Sequence, residues 1–163
     1  MDDYKVTVSS DGTETWRLNG LVHRDDGPAV TNKYGKFWYQ KGKLHREDGP
    51  SIIGPFGDTI YYRWGKLHRE DGPSVENRLG GKEWHRDGQR HNEHGPAVIY
   101  SNGEKGFYLF GHINEMTEEE HTKIVDTYLR YELTIGGNTV TFSKKEMREL
   151  KGLIELLDIE DEK

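Results

Sequence analysis

The sequence has no cysteine in its 163 residues, which excludes disulfides, cysteine-ligated zinc and thiol catalysis. It is also poor in apolar side chains, at 32%, with charged residues at another 32%; an ordinary globular domain is about 45–50% apolar with glycine counted in. No apolar run approaches the ~18 residues that a membrane-crossing helix needs. The opening MDDYKVTVSS has neither the basic start nor the apolar stretch of a secretory leader. A one-sided positive charge is missing too: residues 1–111 hold 16 acids and 16 bases, and 13 acids against 7 bases in residues 112–163 supply the whole net charge of −6. A nucleic-acid binder carries a basic face or domain, and neither half of this chain is basic. Without a basic amphipathic helix, membrane recognition is disfavoured as well. A soluble cytoplasmic chain is expected.

What is abundant is glycine, 20 residues, and aromatics, at 11%. The aromatic content argues against disorder, and the combination suits a thin fold with a shallow core. The decapeptide GKLHREDGPS occurs twice, at 42–51 and 65–74. Aligned on its histidine, it belongs to a longer series: WRLNGLVHRDDGPAV from Trp16, WYQKGKLHREDGPSI from Trp38, YYRWGKLHREDGPSV from Tyr61 and WHRDGQRHNEHGPAV from Trp84. A fifth copy opens as FYLFGHIN at Phe107 and then leaves the pattern. The leading aromatics are spaced by 22, 23, 23 and 23 residues, and Gly12, Gly35, Gly57, Gly80 and Gly103 precede them. Gly35 stands three residues ahead of its aromatic instead of four, which accounts for the one short period.

Each copy reads as strand, glycine turn, strand and DGP corner, with strands of the kind 30–32 and 37–40. One such copy buries too few apolar groups to offset its ordering entropy, so consecutive copies must stack. Within the corner, Gly27, Gly49, Gly72 and Gly95 are expected to supply turning φ values, and Pro28, Pro50, Pro73 and Pro96 to fix the start of the next strand. Asp26, Asp48 and Asp71 are expected to accept turn amides. The histidine and arginine ahead of them are expected to bond the neighbouring corner. The repeated charges are then a joint and not a reagent.

The unit Trp-Tyr-x-x-Gly-Lys-Leu-His-Arg-Glu-Asp-Gly-Pro-Ala/Ser resembles the tandem HREDGPA repeats found in proteins of bacteriophages and large viruses. These are similar to MORN-type β-hairpin repeats, although the YxGxxxxG spacing of that group is not kept here. The resemblance covers residues 12–113 and implies an elongated antiparallel β-array of viral origin; it implies no reaction. The expected fold is mainly β, with a β-hairpin repeat array over 1–113 and a C-terminal helix-hairpin-helix cap over 114–163. In that cap, Thr117-x-x-Glu120 opens a helix carrying Ile124, Val125, Tyr128 and Leu129. A hairpin turns around Gly136-Gly137-Asn138, and Ser143-x-x-Glu146 opens a second helix with Met147, Leu150, Ile154 and Leu157 on one stripe. Its acidic surface is either only a cap or a partner-binding element.

No GxxxxGK[ST], GxSxG or HExxH is present, and the carboxylates repeat evenly where an active site would be singular. His85, His91 and His94 gather in the fourth copy, but HNEH reads as HRED drifted and not as a metal site. An enzyme, a cofactor and a metal are therefore not expected. Two rows remain as binding candidates. Arg17, Tyr39, Tyr62, His85 and Tyr108 follow the leading aromatics and form either an interface or a second packed face. Trp64 and Phe110, outliers at their repeat position, join them. The alternative row is a ladder of His23, Arg24, His45, Arg46, His68 and Arg69 with forks that suit a phosphorylated small molecule or signalling nucleotide. The function expected is a non-enzymatic phage protein, in the host cytoplasm, that binds and inhibits a host protein, with an anti-defence role in view. A nucleotide sponge and a virion or assembly component, with homo-oligomerisation, are the alternatives.

Overall fold

The computed structural model describes residues 3–111, 117–128, 130–135, 138–143 and 146. The chain divides into two compact units, Met1–Glu115 and Met116–Lys163. The protein is mainly β and antiparallel. In the first unit the strands are β1 (Tyr4–Val8), β2 (Glu14–Leu18), β3 (Leu21–Val22), β4 (Val30–Asn32), β5 (Gly35–Phe37), β6 (Tyr39–Gln40), β7 (Lys43–Leu44), β8 (Ile52–Ile53) and β9 (Thr59–Ile60). They continue as β10 (Tyr62–Arg63), β11 (Lys66–Leu67), β12 (Val75–Glu76), β13 (Lys82–Glu83), β14 (His85–Arg86), β15 (Gln89–Arg90), β16 (Val98–Ile99) and β17 (Lys105–Gly106).

One sheet takes up most of them, in the order β1-β2-β4-β5-β8-β9-β12-β13-β16-β17, with β3 paired to the end of β2. Each copy adds one hairpin to this sheet. Its turn is made by the landmark glycines Gly12, Gly35, Gly57, Gly80 and Gly103, all at φ between 80° and 136°, the region only glycine enters without a Cβ penalty. At Gly35 a side chain is excluded twice over, because a Cβ would also stand 2.2 Å from the Ile53 carbonyl oxygen.

The expected single strand over 37–40 is not continuous. It breaks at Trp38, and a second, smaller hairpin follows in the second, third and fourth copies: β6-β7, β10-β11 and β14-β15; in the first copy β2 runs unbroken through Trp16 and its end pairs with β3. The backbone of the leading aromatic bonds to both hairpins at this point. Trp38 N–H donates to the Ser51 carbonyl (2.8 Å) and its carbonyl accepts from His45 N–H (3.1 Å). Trp16, Tyr61 and Trp84 repeat both bonds with Ala29 and His23, Ser74 and His68, and Ala97 and His91. The small hairpins turn through Asn19-Gly20, Lys41-Gly42, Trp64-Gly65, Asp87-Gly88 and Phe110-Gly111, every residue at positive φ, as a type I′ turn requires. Successive copies are tied by the glycine of this turn: Gly42, Gly65 and Gly88 N–H groups donate to the carbonyls of Val22, Leu44 and Leu67.

The core is a row, not a globule. Ala29, Ser51, Ser74 and Ala97, each following the corner proline, are all 0% exposed. The repeat histidines His23, His45, His68 and His91 are buried beside them.

In the second unit, α1 (Glu118–Tyr128) precedes a hairpin of β18 (Arg130–Ile135) and β19 (Asn138–Ser143). The capping box is present: Glu120 N–H donates to Thr117 Oγ1 (3.2 Å) while Thr117 N–H donates back to the Glu120 carboxylate (2.9 Å). Among its described side chains, Val125 and His121 are buried. Of the second helix expected after Ser143, only Glu146 lies among the described residues, and Met147, Leu150, Ile154 and Leu157 lie outside them. Among those described, no helix is long and apolar enough to cross a membrane.

Candidate functional site

The HRxDGP corner is where the charges concentrate, and each of its groups has a partner inside the array. Arg24, Arg46 and Arg69 lay their guanidinium carbons 4.0, 4.3 and 4.1 Å from the ring centroids of Trp16, Trp38 and Tyr61. Their Nε atoms donate to Asp26, Asp48 and Asp71 at 2.9 Å. Their Nη1 atoms donate to the carbonyls of Pro28, Pro50 and Pro73 at 3.5, 3.4 and 3.2 Å. The hydrogen bond from the arginine, reinforced by its charge, holds the carboxyls of Asp26, Asp48 and Asp71 below the usual carboxylate range.

The corner glycines are not turn glycines: none of Gly27, Gly49, Gly72 and Gly95 takes a positive φ. They are small because the guanidinium lies against them. A Cβ on Gly27, Gly49 or Gly72 would stand 3.2, 3.2 or 3.1 Å from the Cζ of Arg24, Arg46 or Arg69. In the fourth copy the arginine is replaced by Asn92, and a Cβ on Gly95 would meet nothing within 4 Å.

The histidines join one copy to the next. Nδ1 of His23, His68 and His91 accepts the backbone N–H of Lys41 (3.0 Å), Asp87 (3.1 Å) and Phe110 (3.3 Å), the first residue of the next small turn. An accepting Nδ1 places the ring proton on Nε2, which faces Asp25, Glu70 and Glu93 at 3.0, 3.3 and 3.2 Å. His45 differs: its Nδ1 has no hydrogen-bond partner among the described residues, and the Trp64 ring is stacked on it at 4.0 Å between centroids. Phe110 stacks on His91 in the same way at 4.2 Å.

The His and Arg ladder is thus brought together in register, with its donors and acceptors largely engaged within the protein. The row after the leading aromatics is placed differently from a solvent-facing stripe. Arg17, Tyr39, Tyr62 and Tyr108 are half-buried and His85 is buried. At Tyr39, Tyr62 and His85 strand alternation does not govern the row, because the strand breaks one residue before; Arg17 stays within unbroken β2. Ser51 Oγ bonds the Tyr62 backbone at both ends, accepting from its N–H (2.6 Å) and donating to its carbonyl (3.1 Å). Ser74 Oγ lies 2.8 Å from His85 Nδ1, and burial holds the His85 pKa below its ordinary value, favouring the neutral ring. Trp64 and Phe110 alone of the expected interface residues are exposed, at 45% and 44%.

Sequence reasoning missed a second exposed row. The residue before each landmark glycine is Asp11, Tyr34, Phe56, Leu79 and Asn102. Tyr34, Phe56 and Leu79 are 65, 68 and 69% exposed, among the most exposed large apolar side chains described. Lys33 and Arg78 reach over the Tyr34 and Phe56 rings at 5.0 and 4.6 Å. The signal was in the sequence: three bulky residues at a position that Asp11 and Asn102 also fill. Among the described residues no group of three or more His, Asp or Glu side chains is placed to share a metal ion. Comparison of the chain with family models, with curated proteins and with solved structures finds no match in any of the three.

Proposed function

We propose that the chain is a non-enzymatic binding protein, virus-encoded, that inhibits a host protein by presenting apolar side chains from its repeat turns. The observation that carries this reading is the array's own internal comparison. The first residue of the small turn is Asn19, Lys41, Trp64, Asp87 or Phe110, all at φ near 50°. Asparagine and aspartate are favoured there, and a bulky residue in the left-handed region costs about 1 kcal/mol or more. Trp64 and Phe110 bear that cost and remain nearly half exposed, so the turn itself does not select them. Tyr34, Phe56 and Leu79 fill the position that Asp11 and Asn102 also fill, without a positive φ, and are more exposed still. Exposed aromatic side chains anchored on a rigid frame have the composition of an interface centre.

The phosphate-binding alternative draws less support, since Nε and Nη1 of Arg24, Arg46 and Arg69 are already committed to Asp and Pro groups.

The test is Trp64→Asn together with Phe110→Asn, and separately Tyr34→Asp with Phe56→Asn. Each pair installs the array's own alternative residue, so the melting temperature is expected to stay within a few degrees of wild type. Host protein captured stoichiometrically by the wild type, identified and reconstituted, is expected to bind at least tenfold more weakly to one of the two pairs. Undiminished binding by both would remove the turn residues from the reading.

A further inference from the structure

The main sheet opens on β1. Like its neighbour β2 it is five residues long, where β4 and β5 have three and β8, β9, β12, β13, β16 and β17 two. Among the described residues, no strand lies on its outer side in the sheet order. All five residues, Tyr-Lys-Val-Thr-Val, are exposed, with Val6 and Val8 at 44 and 69%.

The hydrogen bonds fix which backbone groups face outward. β1 pairs with β2 in the register Tyr4↔Leu18 through Val8↔Glu14. At its two ends, Asn19 N–H donates to the Asp3 carbonyl (3.1 Å) and Ser9 N–H donates to the Thr13 carbonyl (3.0 Å). Odd-numbered residues therefore aim their N–H and C=O at β2, and even-numbered residues aim theirs at the open edge. The N–H and C=O of Val6, at the middle of the strand, point there.

Such an edge templates another strand unless something blocks it. Proline and a bulge are both absent from β1; Lys5 is the one charge that could oppose pairing. The side-chain order decides which partner it tolerates. In an antiparallel pair of two β1 strands centred on Val6, Val6 meets Val6 of the second copy, Lys5 meets Thr7, and Tyr4 meets Val8. Apolar groups then share one face, and no like charges are opposed. A centre at Lys5 sets lysine against lysine. A centre at Thr7 sets Tyr4 against Ser10, beyond the strand, where Ser9 already bonds Thr13 across the turn. The Val6-centred register pairs all five residues of β1, with the outward backbone groups matched and no like charges opposed.

We propose that β1 pairs with β1 of a second copy of this chain, antiparallel and centred on Val6, joining two main sheets edge to edge. This does not depend on the host-binding reading and uses none of its residues.

The register is testable because the chain has no cysteine of its own. Lys5 and Thr7 of the two copies would form a non-hydrogen-bonded pair with Cα atoms about 4.5 Å apart, within disulfide reach. Lys5→Cys and Thr7→Cys proteins are oxidised separately and as a mixture. A covalent dimer is expected in the mixture at several-fold the yield of either protein alone. In parallel, sedimentation velocity is run on wild type, Val6→Lys, Val6→Glu and an equimolar mixture of the two. Wild type is expected to be dimeric, each single variant monomeric and the mixture dimeric again. Thermal melting checks that both variants are folded. A monomeric wild type, cross-linking as strong in the single cysteine variants as in the mixture, or failure of the Lys and Glu variants to rescue each other would overturn the proposal.

Discussion

The third corner, 69–74, and the fourth, 92–97, make the same bend with different chemistry. In the third, Arg69 stacks on Tyr61, pairs with Asp71 and donates to the Pro73 carbonyl. In the fourth, Asn92 donates to the Pro96 carbonyl at 2.9 Å, and His94 stands where the aspartate would be. Both corners still deliver a completely buried small residue, Ser74 or Ala97, to the row beneath. What the bend needs is therefore narrow: a side-chain donor for the proline carbonyl and no bulk after the proline. The ring stack and the ion pair are additions, and the corner glycine is demanded by the arginine rather than by the bend.

The comparison can be broken most severely at the donor. Arg69→Ala removes the stack and the carbonyl's donor together and is expected to destabilise the array by about 2 kcal/mol in urea unfolding. Asn92→Ala removes the donor alone and is expected to cost about 1 kcal/mol. Next come the glycines, where a difference in sign is expected. Gly72→Ala pushes the guanidinium off the Tyr61 ring and costs about 1 kcal/mol; Gly95→Ala, unopposed and without a positive φ, gains about 0.5 kcal/mol from a less disordered unfolded chain. Grafting Asn92→Arg with His94→Asp should transfer this sensitivity, so that Gly95→Ala becomes destabilising in the grafted background.

The smallest effect expected is with pH. The Asp71 carboxyl lies below its ordinary value because Arg69 donates to it. A depressed folded pKa means that the pair's contribution is present above the unfolded value of about 3.9 and fades as pH falls through the folded value. An NMR titration should therefore find Asp71 below its unfolded value, and Asp71→Asn should flatten the acid limb of the stability curve. The fourth corner has no carboxylate at that position, so the corresponding change there, His94→Asn, should leave the acid limb as it is.

Much of this was legible in the residues themselves. The period, the landmark glycines and the Thr117 capping box follow from local rules, because the bonds that satisfy them lie within a few residues. The corner glycines were legible as glycines but not for their reason: crowding by Arg24, Arg46 or Arg69 depends on where a long side chain comes to rest. The small hairpins were hidden because Trp38 is held by Ser51 and His45, bonds that no alternation pattern encodes. That break also moved Tyr39, Tyr62 and His85 off the face assigned by counting residues. The exposed row of Tyr34, Phe56 and Leu79 lay beside the glycines used to measure the period, and only its exposure separates it from the rest.

The joint between copies reads the next turn through a backbone amide, accepted by His23, His68 or His91. Every amino acid except proline carries that amide, so these three joints form whichever of lysine, aspartate or phenylalanine follows; where Trp64 follows His45, a ring stack stands in place of the bond. Lys41, Asp87 and Phe110 fill the same socket without altering the frame. A lineage carrying this array can therefore exchange what it displays one codon at a time, and lengthen the display by whole copies, without renegotiating how the protein folds.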